Sequence, residues 1–408
     1  MHNPVVTVAR LTVTHAATLP GGPIDLLWTK QESAPRPRRR RSPPSPRTPG
    51  VSRDPGFDLA IRTDHDGIVT RRTSASPSIR DVAAAAGVSR QTVSRVLNDS
   101  PFVNAGTRTH VLAVIERLGY RPNRAARALG LGRSRSVTVV IADTTLYGYA
   151  ATLRGIEEAA RQQGLAVGVR VVESADPGDV RHAVEYVSDP NAGGIVVVAF
   201  DAAGAAVLRA LPPDLPVVAA TEAGGLGDVG RPMIFLDERQ AAADATTHLL
   251  GLGHRTVHHV AIPSETGTSA RQAGWRSALE AARAPAPAVV PVGWDVHSAY
   301  LAGQALAADP DVTAILCGND DTAMAVRRAL HEAGRDVPGD VSIVGFDDVP
   351  GAAYWTPALT TVRMDFVALG RACLATLAAT LAGTPQPAVE LAPPSLVIRE
   401  STAPARPR

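Results

Sequence analysis

The sequence has very little cysteine and few aromatic residues. Its 408 residues include 2 cysteines, and only 4% are aromatic. Cys317 and Cys373 lie far apart and form no CxxC pair, which excludes a disulfide framework and a cysteine-rich metal site. We expect both to be buried apolar residues in a reducing cytoplasm. No run of about 18 apolar residues is present, so no membrane-spanning helix is predicted, and residues 1–30 lack the pattern of a secretory signal.

Lysine is almost absent, and the basic residues are unevenly distributed. Of the 41 basic residues, all but Lys30 are arginine, and the formal net charge is +2. Residues 1–135 carry a net charge of +13, whereas residues 136–408 carry −11. This asymmetry predicts that only the front of the chain meets a polyanion.

The first 75 residues show no apolar periodicity. The Pro/Arg/Ser-rich run at 35–49 cannot bury a core, so we predict a disordered extension over 1–75. This extension is either a basic arm that binds nucleic acid non-specifically, or a solvated tail, or upstream sequence that is assigned to the gene but not translated. Because patterned sequence begins abruptly near Ser76, the last two interpretations are favoured.

Three short helices are predicted in residues 76–121. The first begins at a capping box on Ser78 and ends at Gly87, Ser89 begins the second, and the third follows Asn104. The residues expected to form the apolar faces of the first two helices are Val82, Ala83, Ala86, Val93, Val96 and Leu97, and the third helix runs through Val111, Leu112, Ile115 and Leu118 to Gly119. Two short helices separated by a glycine turn and supported by a third form a helix-turn-helix unit.

From residue 136 onward, short β-branched runs alternate with amphipathic stretches. The predicted strands are Val137–Ala142, Leu165–Val172, Gly194–Phe200, Pro216–Ala220, Met233–Leu236, Val260–Pro263, Val289–Val292, Ala314–Gly318 and Val341–Phe346. Continuous apolar strands between helices indicate parallel sheets covered on both faces. This number of strands is more than a single open sheet usually contains, so two doubly wound lobes are favoured in 136–408. The chain is expected to cross between the lobes near Leu236 and again near residues 362–363.

Several segments resemble one known family. Residues 79–98, IRDVAAAAGVSRQTVSRVLN, resemble the head of the lactose-repressor (LacI/GalR) family almost residue for residue, and LGYRPNRAARALGLGRS resembles its hinge, which we place at 122–135. ILCGNDDTAMAV and DVSIVGFDDVP are similar to the family's sugar-binding domain. The resemblance implies a multi-domain chain with an all-α helix-turn-helix head and an α/β two-lobed, periplasmic-binding-protein-like domain. It also implies a cytoplasmic homodimer, a palindromic operator and a sugar effector.

The second helix of the head carries the candidate base contacts. Arg90, Gln91 and Arg95 lie on the face opposite Val93 and Val96, where arginine can bind guanine and glutamine can bind adenine. Simple solvent exposure is the alternative, but residues 76–135 contain ten arginines against three acidic residues. The polar residues expected to contact phosphates are Ser89, Thr92, Ser94 and Asn98.

The hinge is predicted to be a short helix that is unstable alone in water. The resemblance implies that it folds on DNA beside its twin and that Leu129 wedges into the minor groove. Packing of Leu129 onto the ligand domain is the alternative. The resemblance also assigns Tyr120, Asn123 and Ala126 to the DNA-binding surface.

The candidate ligand site lies at the carboxyl ends of strands. Arg271, Asn319 and Asp347 follow predicted strands there, and together they offer donors and acceptors that suit vicinal sugar hydroxyls. The resemblance places Trp294 as a stacking aromatic, while core filling is an equal alternative. We expect Asp320 to cap the helix that follows it, not to contact the ligand.

Other chemistry is not supported by the sequence. The GxGxxG match at 225–230 precedes a strand and not a helix, so it predicts a loop without a phosphate site. His254, His258 and His259 lack metal-site spacing, and no catalytic nucleophile motif is present. We therefore expect no catalytic residue, metal or cofactor. The alternatives to a sugar-released repressor are a regulator whose ligand promotes DNA binding and a sugar-binding protein without a regulatory role.

Overall fold

The structure is a computed structural model. It describes residues 77–97, 99–121, 136–189, 193–224, 226–264 and 267–407. The predicted extension over 1–75 and the predicted hinge lie outside the described residues. The same holds for four of the predicted DNA contacts, which are Asn98, Asn123, Ala126 and Leu129.

The head contains the three predicted helices, α1 (Ile79–Ala86), α2 (Arg90–Leu97) and α3 (Ala105–Leu118). The capping box of α1 is confirmed, because the backbone N–H of Ser78 donates to Asp81 Oδ2 at 2.7 Å. The side chains that form the core of the head are Val82, Ala83, Ala86, Val93, Val96, Val111 and Val114. On α3 the helical period places Val111 and Val114 on the inner face, whereas the Leu112 side chain is 48% exposed.

The first lobe is a parallel sheet with helices between its strands. Its elements are β1 (Ser136–Ile141), α4 (Tyr147–Gln162), β2 (Ala166–Val171), α5 (Pro177–Val187), β3 (Gly194–Ala199), α6 (Ala202–Ala210), β4 (Val217–Thr221) and β5 (Met233–Ile234). The strand order is β2-β1-β3-β4-β5, and every pairing is parallel. All residues of β3 and β4 are buried, as expected for strands covered on both faces.

The second lobe repeats this architecture. Its elements are α7 (Glu238–Gly251), β6 (His258–Ala261), α8 (Ala270–Ala281), β7 (Val290–Pro291), α9 (Val296–Ala307), β8 (Ala314–Cys317), α10 (Asp320–Glu332), β9 (Ser342–Asp347), a 3₁₀ turn (Ala352–Tyr354), β10 (Thr360–Arg363) and β11 (Ser395–Val397). The strand order is β11-β10-β9-β8-β6-β7, with only β11 antiparallel. The predicted two-lobed α/β class is confirmed.

The chain crosses between the lobes three times and not twice. After β10 it forms α11 (Phe366–Ala382), which packs against α4, β3 and β4 of the first lobe. It then returns to the second lobe, where β11 pairs with β10. β10 and β11 were not predicted, because their sequences, TTVR and SLV, lack the continuous apolar run that marks the other strands.

No helix in the described part of the chain is long and apolar enough to cross a membrane, and no group of three or more of its residues is suited to a metal ion. Cys317 and Cys373 are free and buried, as predicted. His259 is also buried, and its Nδ1 lies 3.0 Å from the carbonyl oxygen of Leu316, so it is an interior histidine.

Candidate functional site

The head presents one polar and one apolar face of α2. Arg90, Gln91 and Arg95 are exposed, while the valines of the opposite face are buried in the core of the head. Ser89 begins the helix: its Oγ accepts the backbone N–H of Thr92 at 3.0 Å and lies 2.9 Å from the Thr92 hydroxyl. The long side chains that can reach base edges therefore share one solvent-facing surface of a rigidly packed helix.

The turn after α2 is held by an arginine from α3. Arg108 Nη1 lies 2.5 Å from Asp99 Oδ1, and its Nη2 donates to the carbonyl oxygen of Ser100 at 2.6 Å. Ser94 is half-buried on α2, and Tyr120 is half-buried against the core of the head. The Arg108 contacts therefore tie the turn after α2 to α3.

The four predicted ligand residues line a single cavity between the lobes. Arg271 is the second residue of α8, Asn319 precedes α10, Asp347 ends β9, and Trp294 lies in the loop between β7 and α9. The cavity encloses about 440 Å³, counting space that opens to solvent. All four residues belong to the second lobe, so they form only one wall.

The opposite wall was missed by the sequence analysis. It consists of residues that follow strands or begin helices of the first lobe, together with two that flank the crossings, namely Tyr147, Tyr149, Phe200, Glu222, Glu238 and Phe366. Phe200 and Glu222 come directly after β3 and β4, so the rule that ligands bind beyond the carboxyl ends of strands could have found them. Tyr149 and Phe366 carry no such signal.

Arg271 is the electrostatic centre of the cavity. Its Nε donates to Glu238 Oε2 at 2.9 Å and its Nη2 to Glu238 Oε1 at 3.1 Å, while Nη1 donates to the carbonyl oxygen of Gly318. The guanidinium also stacks over Phe346 at 4.5 Å. Burial alone would lower the pKa of Arg271, but Glu238 and Asp347 raise it above its ordinary value, so the charge is permanent.

Asp347 is strained and incompletely bonded. Its φ of 107° lies in the region that favours glycine, and its side chain is buried. Oδ1 lies 3.7 Å from Arg271 Nη2 and finds no hydrogen-bond partner among the described residues. Burial raises the pKa of Asp347 well above its ordinary value, and the charge of Arg271 only partly opposes this. Strain and an unused buried acceptor are typical of a functional position.

Asn319, and not Asp320, caps α10. The cap of α10 is Asn319, whose Oδ1 accepts the backbone N–H of Thr322 at 2.8 Å. The expected capping role of Asp320 is wrong: its carboxylate accepts the Thr361 hydroxyl at 2.5 Å and the backbone N–H of Val349 at 2.8 Å. Asp320 therefore ties α10 to β10 and to the loop after β9, while the amide nitrogen of Asn319 is left as a donor beside the cavity.

Aromatic rings surround the polar groups. Tyr149 meets Trp294 edge-on, with ring centroids 6.1 Å apart, and meets Phe200 at 5.2 Å. Phe200 in turn lies 6.0 Å from Phe366. Trp294 is half-buried at the cavity and contacts the opposite lobe through Tyr149. Aromatic contacts thus join the two lobes across the cavity.

Two family models and a known bacterial regulator match this chain. A model of the lacI family of bacterial regulatory proteins matches residues 78–123, and one of a periplasmic binding protein-like domain matches residues 246–402. The HTH-type transcriptional regulator reg1 of Streptomyces lividans is 35% identical over 342 residues, covering 80% of this chain and 97% of that protein. This chain belongs to the lacI family.

Solved structures of the lacI family agree with the fold described above. The lac repressor dimer bound to operator and an anti-inducer has a TM-score of 0.72 and 30% identity, covering 80% of this chain and 99% of that one. The regulator CelR in complex with cellobiose has a TM-score of 0.58 and 27% identity, with coverage of 80% and 99%. The resemblance inferred from the head and the cleft segments is confirmed.

Glu222 of this lacI-family chain should make stability depend on pH. Burial, reinforced by the charge of Glu238, raises the pKa of Glu222 from 4.5 to about 7. The stability that this group contributes is therefore fully present below about pH 4.5 and is lost as the pH rises through about 7. Glu222→Gln should leave Tm nearly unchanged at about pH 5 and raise it at about pH 8, by about 2–4 °C for each kcal/mol recovered.

The control for this experiment is Glu157→Gln, which removes an exposed carboxylate of α4. Thermal unfolding of the three proteins at both pH values provides the measurement. An equal gain for Glu222→Gln at both pH values would mean that better packing, and not the buried charge, accounts for the change.

Proposed function

We propose that this chain is a transcription repressor of a carbohydrate-utilisation operon and that a sugar bound between the lobes releases it from a palindromic operator. The observation that carries this proposal is the presence, in one chain, of a helix-turn-helix head with exposed Arg90, Gln91 and Arg95 and of an interlobe cavity lined by Arg271 and Asp347. We further propose that it acts in the cytoplasm as a homodimer, without catalytic residues, cofactor or metal. A two-fold dimer matches a palindromic operator, because each head reads one half-site.

The sugar is expected to bind through both lobes. Asp347 and Asn319 supply an acceptor and a donor from the second lobe, and Arg271 holds Asp347 in place. Trp294 and Tyr149 supply apolar ring faces on either side, so the half-exposed Trp294 fits a stacking role better than core filling. A ligand held by residues of both lobes stabilises the closed arrangement of the lobes over an open one.

Closure provides a route from the ligand to the DNA. The chain crosses between the lobes three times, so a change in the angle between the lobes moves the first lobe, to which the hinge is joined. We propose that this movement separates the paired hinges and withdraws Leu129 from the operator. The coupling between sugar and operator is expected to be about 1–3 kcal/mol, and by reciprocity the operator weakens sugar binding by the same factor.

Two alternatives predict different behaviour. A regulator whose ligand promotes DNA binding would bind that ligand more tightly in the presence of operator. A sugar-binding protein without a regulatory role would have no use for the polar face of α2. The CelR–cellobiose and lac repressor–operator structures support the combination of sugar and DNA binding, and we favour release by sugar because the cleft resembles those of sugar-induced relatives.

The test is operator selection with the purified full-length chain, followed by a sugar panel on the selected DNA. We expect a palindromic consensus, binding as a dimer, and at least one sugar that lowers operator affinity. Selection that yields no consensus would overturn the proposed DNA readout. A sugar that tightens operator binding would establish the promoting alternative instead.

The base-reading face of α2 yields a specific prediction. Gln91→Ala or Arg95→Ala should weaken operator binding by about 1–3 kcal/mol and relax preference at one base pair, because a bidentate base contact is lost. Affinity measured by fluorescence anisotropy on operator and on random DNA distinguishes the mechanisms. Arg154→Ala, in the ligand domain, is the matched control and should change neither value. Equal weakening on both DNAs would assign the residue to phosphate contact.

A further inference from the structure

The lining of the cavity between the lobes contains more carboxyl groups than cations. Three of the residues that line it are carboxylates, Glu222, Glu238 and Asp347, whereas Arg271 is the only cation in that lining. The single guanidinium is already engaged, because Glu238 binds it through both oxygens and the carbonyl oxygen of Gly318 takes a further N–H. A ligand therefore meets few free donors here.

Two carboxylate groups remain available to a ligand. Asp347 Oδ1 is buried without a hydrogen-bond donor in the described part of the chain, and its nearest cation is 3.7 Å away. Glu222, on the opposite wall, receives one hydrogen bond, from the Ser264 hydroxyl to its Oε2 at 3.0 Å. Burial also raises the pKa of both carboxyl groups, and a cation placed between them would relieve this cost.

The apolar lining of the cavity points to the same type of ligand. The chain has only 4 Trp, 6 Tyr and 6 Phe, yet five of these rings line this one cavity, namely Tyr147, Tyr149, Phe200, Trp294 and Phe366. Neighbouring rings lie 5.2–6.2 Å apart, so they form a connected aromatic wall. Aromatic faces combined with carboxylates are the usual surroundings of a bound ammonium group.

We propose that the effector is an amino sugar, a monosaccharide-sized polyol whose protonated amine lies between Glu222 and Asp347 against the aromatic wall. This inference rests on the proposed function, because it narrows the class of sugar that occupies the same cavity. The hydroxyl groups of such a ligand are left to Asn319 and to the remaining carboxylate oxygens.

The experiment compares matched pairs of sugars. Isothermal titration at about pH 6.5 would use glucosamine, galactosamine, 3-amino-3-deoxyglucose, 6-amino-6-deoxyglucose and 1-deoxynojirimycin, each beside the parent sugar that lacks the amine. N-acetylglucosamine and N-acetylgalactosamine keep the nitrogen but lose the charge. We expect at least one amine to bind about tenfold or more tighter than its parent, and its acetylated form to lose this advantage.

A variant pair tests the assigned carboxylate. Glu222→Gln should reduce the preference for the amine about tenfold, whereas Glu157→Gln, on an exposed helix face, should leave it unchanged. If neutral sugars bound as tightly as every amine, or more tightly, the amino-sugar inference would be overturned. If those neutral sugars also released the operator, the proposed function would still be upheld. If no compound of either class altered operator binding, the proposed function itself would fail.

Discussion

Replacing Arg271 by alanine should lower the free energy of unfolding of the ligand domain by about 3–5 kcal/mol, because it strands buried carboxylates. Arg271 is 7% exposed and Glu238 is 5% exposed, so water cannot replace the lost guanidinium. Asp347, 3.7 Å away, would lose its nearest cation as well. Urea denaturation near pH 7, followed by the fluorescence of the buried Trp275 on the same helix, provides the measurement.

The pH dependence of this loss identifies its cause. Burial already raises the pKa of Asp347, and without the opposing charge of Arg271 it should rise further, so the cost of burying this carboxyl group becomes smaller in acid. Arg271→Ala should therefore be much less destabilising at pH 5 than at pH 7. Combining Arg271→Met with Glu238→Gln, which removes both members of the pair, should recover more than half of the loss. A loss that is the same at both pH values would indicate a packing defect and not an unpaired charge.

Much of the fold follows from local sequence signals. The caps of α1 and α3 are local: the Asp81 side chain accepts the backbone N–H of Ser78, and the Asn104 side chain accepts that of Thr107, each three residues away, so such signals are readable without tertiary information. Buried parallel strands such as β3 are equally readable, since every residue of GIVVVA is apolar or glycine. β10 and β11 are not readable in this way, because they form by pairing with a strand of a sheet that is already present.

The site was predictable only in part, for a related reason. Arg271, Asn319 and Asp347 stand at strand ends of one lobe, and a general rule for α/β sheets places them together. The other wall depends on how the first lobe faces the second, which no local pattern records. Neither Glu222 nor Glu238 is distinguished by its local sequence. Their roles become apparent only when the fold brings both near the same cation, Arg271. The capping of α10 by Asn319, and not by Asp320, shows that a one-residue shift along a helix start cannot be settled without the partners of each side chain.

The return of α11 to the first lobe depends on two glycines. A Cβ at Gly155 of α4 would lie 2.1 Å from the carbonyl oxygen of Val367, and a Cβ at Gly370 of α11 would lie 2.1 Å from that of Thr152. Both obstacles are backbone atoms, which cannot rotate away as a side chain can. The two helices therefore cross at a distance that only glycine permits. This crossing holds α11, the last long helix, against the first lobe.

We accordingly expect Gly155→Ala to lower the free energy of unfolding by about 3 kcal/mol, at the upper end of overpacking effects, because the helices must separate. Gly370→Ala should behave alike, and the double variant should cost less than the sum, since one separation relieves both clashes. Gly178→Ala in α5 is the control: its added methyl group meets nothing within 4 Å, so it should be neutral or slightly stabilising. Urea denaturation of the four variants beside the parent chain measures these differences. Full additivity of the two substitutions would show that the clashes are relieved independently and would contradict a single shared crossing.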